Sequence, residues 1–66
     1  MTSFDFWLIG AAQPQRLDVD AGHLEEIAAA MGQCRFIVGE VACDDTGEIR
    51  RLMISSNRVQ AVLEVT

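Results

Sequence analysis

The chain has 66 residues, half of them hydrophobic, with ten acidic residues against five basic ones and a formal net charge of -5. That length bounds it at one domain, residues 1–66, which buries only about 60% of the surface its unfolded form exposes. The negative balance removes the long-range field that draws basic proteins to nucleic acid or anionic membranes.

The mean hydropathy of +0.20 is high for so small a domain. A globule of this size has too little interior to hide that much apolar surface, so a homo-oligomer or a protein partner is expected. All five basic residues are arginines: Arg16, Arg35, Arg50, Arg51 and Arg58. No run approaches the roughly 18–20 apolar residues of a membrane span. The first residues lack a basic leader, and two cysteines do not make a disulfide scaffold, so a reducing, cytoplasmic setting is expected.

Phe4–Ile9 reads as a first strand, with Phe4, Phe6 and Leu8 on one face and Asp5, Trp7 and Ile9 on the other. Gly10 and Pro14 punctuate it, and Gln15–Val19 reads as a short second strand with Leu17 and Val19 inward. Leu24, Ile27, Ala28 and Met31 then recur at helical spacing. They predict a helix over about residues 21–31, capped by Asp20, with Glu25 and Glu26 in its first turn and Gly32 as its stop.

Cys34–Cys43 and Glu48–Ser55 read as a hairpin around Asp44-Asp45-Thr46-Gly47, with Gly47 free to take positive φ. A symmetric loop pairs Cys43 with Glu48 and Glu40 with Arg51, giving an expected cross-strand ion pair. This register puts Phe36, Val38, Glu40, Ala42, Ile49, Arg51 and Met53 on one face. Ile37, Val41, Cys43, Leu52 and Ile54 share the other with Glu48 and Arg50. Both faces are apolar away from the turn, more than one short helix covers. Gly39, mid-strand, is expected to permit a bend. After a Ser55-Ser56-Asn57 corner, the last strand alternates, with Val59, Ala61, Leu63 and Val65 on one side. The expected fold is α+β: a strongly bent antiparallel sheet or partly open barrel of four to five strands with one internal helix.

Gly39, Val41 and Asp45, followed by Ile54, Asn57 and Val59 around a short corner, resemble the two motifs of Sm-like small β-barrel proteins. The resemblance covers about Phe36–Val65. It implies a ring oligomer with strands paired across subunits. Ser55 and Ser56 stand where that family carries Arg and Gly, so its RNA contact is not carried over directly. Asn57 and Arg58 are the positions left for a ligand or RNA contact.

No spacing brings together a nucleophile, a base and an orienting group, so no catalytic residue, cofactor or metal site is expected. Cys34 and Cys43 are nine apart on the expected strand and read as small buried thiols. His23 opens a helix with no catalytic neighbour. Asp44, Asp45 and Glu48 lack the alternating spacing of a calcium loop. Phe6, Trp7, Met53 and Ile54 are the candidate interface residues, Trp7 because tryptophan anchors interface centres. The chain therefore reads as a non-enzymatic module working by oligomerisation and protein contact, with nucleic-acid binding through a local Arg/Asn patch as the alternative.

Overall fold

A computed structural model describes residues 1–42 and 45–65 of the chain. Among these, five strands and one α-helix follow in the order β1 (Thr2–Leu8), β2 (Gln15–Val19), α1 (Leu24–Gln33), β3 (Phe36–Ala42), β4 (Ile49–Ser55) and β5 (Val59–Glu64). A 3₁₀ turn, Ser56–Arg58, makes the corner between β4 and β5. The strands form one antiparallel sheet in the order β4-β3-β2-β1-β5. The sheet is not closed: β4 and β5 are its two ends. The fold is α+β with five strands and one internal helix.

Alternation along each strand decides what is inside. Phe4 faces Leu17, and Ile37 faces Ile54, across their ladders. With Phe6, Val19 and Ile27 these side chains form the core, and Phe4, Phe6, Leu17 and Ile27 are fully buried. Each such burial stabilises the fold by about 1.5–3 kcal/mol. Phe4 and Phe6 meet edge to face, with ring centroids 6.4 Å apart. Helix α1 packs against β3 and β5. The helix thus lies on the inward side of the sheet, where Ile27 joins the core, while Phe36, Val38, Ile49 and Met53 of β3–β4 are exposed.

The β3–β4 register is the expected one throughout its described length, from Phe36↔Ser55 to Ala42↔Ile49. Gly47 has φ 70°, as the turn requires. The expected Cys43–Glu48 pair and part of that turn lie outside the described residues. Glu40 and Arg51 are register partners, yet they form no ion pair: the salt bridges among the described residues are Arg16–Asp5 and Arg50–Glu48.

Gly39 matters for proximity. A Cβ there would stand 2.5 Å from Leu17 Cγ and 2.6 Å from the Asp18 carbonyl oxygen. The missing side chain is what lets β2 lie against β3, whose one register pair is Asp18↔Glu40.

Three local expectations are corrected. The helix starts at Leu24, and its N-cap is His23 with no side-chain cap. Asp20 lies three residues before that N-cap, and Glu26 accepts from the Gly22 N–H at 3.0 Å. Gly32 lies inside the helix, which runs to Gln33 and ends with the Cys34 N–H on the Ala30 carbonyl. Cys34 thus precedes β3 and is exposed, because it closes a helix and does not fill a strand.

The last strand is also out of phase with simple alternation. A register shift between Trp7 and Leu8 disturbs the β1–β5 ladder. It places both Val59 and Val62 against the core and turns Leu63 outward, 58% exposed.

Candidate functional site

The sheet's outer face has a polar middle and two apolar ends. In the middle, Asp5 on β1 faces Arg16 on β2, and Ser3 faces Asp18. The Arg16 guanidinium donates to both Asp5 carboxylate oxygens, Nε at 2.9 Å and Nη2 at 3.2 Å. This two-pronged bond, opposed by partial desolvation and reinforced by the Arg16 charge, holds the Asp5 carboxyl below its usual range. The Ser3 hydroxyl donates to Asp18. The sequence signal was available for Asp5 and Arg16, opposite charges pointing outward on adjacent strands, but not for Ser3, which lies before the expected strand start at Phe4.

One apolar end lies on β3–β4. Phe36, Val38, Ile49 and Met53 are all exposed, Ile49 to 68% and Met53 to 57%. Glu40 and Arg51 stand among them in register, next to Asp18 on β2. A shallow depression of about 340 Å³ opens here, bounded by Met1, Asp20, Val38, Glu40 and Arg51. The other apolar end, on β1–β5, carries Trp7 and Leu63.

Of the four candidate interface residues, the structure brings only Trp7 and Met53 to the surface, at opposite ends of the sheet. Phe6 and Ile54 are corrected. Phe6 is fully buried and Ile54 is 6% exposed, because both belong to the core that also holds Ile27 and Ile37. They stabilise the single chain and offer no surface to a partner. Residues that the candidate set lacked, Phe36, Val38 and Ile49, stand on the Met53 face; the same face assignment that placed Met53 there placed them too.

Asn57 and Arg58 both sit exposed on the 3₁₀ turn. The corner is stitched to the start of β3: the Ser56 N–H donates to the Arg35 carbonyl at 2.7 Å and its hydroxyl to the Cys34 carbonyl at 2.8 Å. The Ser55 hydroxyl donates to Asn57 Oδ1. An open cleft of about 480 Å³ beside it is lined by Met31, Cys34, Arg35, Phe36 and Asn57, with Ser55 and Ser56 at its base. Arg58 is not part of that lining. A second groove, about 260 Å³ and mainly apolar, runs between α1 and β5 past Leu24, Met31, Val59 and Val62.

No family model, curated protein or solved structure matches this chain. Among the described residues no three His, Cys, Asp or Glu side chains cluster as a metal site. No helix among them is long and apolar enough to cross a membrane. What the outer face can do chemically is exclude water against another apolar surface, oriented by the Glu40 and Arg51 charges.

Proposed function

We propose that this chain is a small non-enzymatic module that works by self-association and protein–protein contact. The observation that carries this reading is the bare apolar face of β3–β4, where Phe36, Val38, Ile49 and Met53 stand exposed together.

The two unpaired sheet ends, β4 and β5, support the ring form of assembly that the Sm-like resemblance implies. The exposed free thiol of Cys34 fits a reducing, cytoplasmic setting. Light scattering on the purified chain at micromolar concentration tests the reading: a dimer or larger species is expected, and a stable monomer contradicts it.

A second reading, nucleic-acid contact at the corner, is favoured by the exposure of Asn57 and Arg58 beside an open cleft that holds Arg35. It predicts a raised 260/280 absorbance ratio in the purified protein, lost in high salt. A ratio that stays protein-like at low salt counts against it.

A further inference from the structure

The outer face of β3–β4 has a symmetry of its own. Its outward residues come in cross-strand pairs: Phe36 with Ser55, Val38 with Met53, Glu40 with Arg51, and Ala42 with Ile49. A two-fold axis parallel to the strands, running between β3 and β4 just above the sheet, lays each β3 over the β4 of a second copy. Every residue then meets its own register partner from the other chain. Val38 lies over the partner's Met53, and Glu40 lies over the partner's Arg51. The reverse contacts follow by symmetry, as an isologous interface requires.

We infer that this face is a self-docking surface on which two copies stack back to back, with Glu40 of each chain paired to the partner's Arg51. The inference rests on the self-association proposed above and names its surface and geometry. Two observations carry it. The patch is one acid and one base set side by side among apolar groups, so it is complementary to its own two-fold image. Those two charges make no ion pair within the chain, although they are opposite each other in register.

Stacked sheets lie about 10 Å apart, a gap that Met, Phe and Ile side chains fill from both sides and that Glu and Arg span together. Asp18, across from Glu40 on β2, adds negative charge near the incoming arginine. The β1–β5 end lacks this design: Trp7 and Leu63 are exposed there, and their register partners are Ala61 and Asp5. Stacking on this face leaves the open edges of β4 and β5 free, so it is compatible with edge-to-edge assembly.

Charge reversal in separate chains tests the geometry. Glu40→Arg and Arg51→Glu proteins each place like charges opposite one another in the homodimer, and each is expected to associate about tenfold more weakly than wild type. An equimolar mixture of the two restores opposite charges at both contacts and is expected to dimerise as wild type does. Sedimentation velocity reads all three samples, and circular dichroism checks that each variant is folded. If the single variants associate like wild type, or if the mixture fails to recover, the stacking is overturned while self-association by another surface stands. If wild type itself stays monomeric, the self-association reading falls, and the stacking falls with it.

Discussion

The two hairpins of this sheet are built alike on the inside and differently on the outside. β1–β2 and β3–β4 both send large apolar residues inward, Phe4 and Leu17 from the first, Ile37 and Ile54 from the second. Outward, β1–β2 closes its charges on itself: Arg16 holds Asp5 with two hydrogen bonds, and Ser3 holds Asp18. β3–β4 instead exposes Phe36, Val38, Ile49 and Met53 and leaves Glu40 and Arg51 apart. The first hairpin is finished as a solvent surface. The second has a water-facing side made of interior-type residues, which fits the self-association proposed above.

The strongest way to break this comparison is to attack what the hairpins share. Phe6→Ala removes a fully buried ring and is expected to cost about 3–5 kcal/mol, enough to unfold a domain this small. Gly39→Ala drives a methyl into Leu17 and the Asp18 carbonyl. Because one of those neighbours is backbone and cannot turn aside, the loss is expected to be about 1–3 kcal/mol or more. Urea titration followed by tryptophan fluorescence measures both.

The outer faces separate next. Met53→Asp is expected to leave the stability of the single chain within about 0.5 kcal/mol of wild type, as exposed substitutions do, while strongly weakening association. Trp7→Ala, at the other apolar end, is expected to weaken association less. An equal effect of the two would erase the distinction drawn here between the ends of the sheet.

The smallest effect belongs to the finished hairpin. Asp5 has a lowered pKa in the folded chain, through the Arg16 hydrogen bonds first and the Arg16 charge after opposing desolvation. A carboxyl lowered by folding stabilises the fold above its ordinary value of 3.8 and loses that contribution as pH falls through the lowered one. Arg16→Met is therefore expected to return the Asp5 pKa toward 3.8, measured by carboxyl NMR titration, and to leave stability at neutral pH nearly unchanged because the pair is solvent-facing.

The architecture was legible in the sequence wherever one physical rule acted alone. Strict alternation gave β1 and β2, and a symmetric turn gave the β3–β4 register down to Glu40 opposite Arg51. Where two rules competed, the sequence was ambiguous. Asp20 and Gly32 both look like helix boundaries, but the helix is set by Ile27 reaching the core and runs from Leu24 to Gln33. In β5, Leu63 and Val62 are equally apolar, and the irregularity opposite Trp7 and Leu8 decided which went in. Gly39 was visible as a special position, but its reason, the approach of Leu17, belongs to a strand some twenty residues upstream. For the interface, spacing placed Met53 on an outward face correctly. It had no means of showing that Phe6 and Ile54 would be used up by the core of the single chain, since that depends on where α1 lands.

In the proposed assembly the β3–β4 outer face is the covered surface. Sedimentation of wild type and Met53→Asp over one micromolar concentration series tests it most directly. Wild type is predicted to move from the 7.3 kDa chain mass to at least twice that mass, while folded Met53→Asp stays at the single-chain mass across the series. Two superimposable curves, whether both monomeric or both assembled, would contradict it.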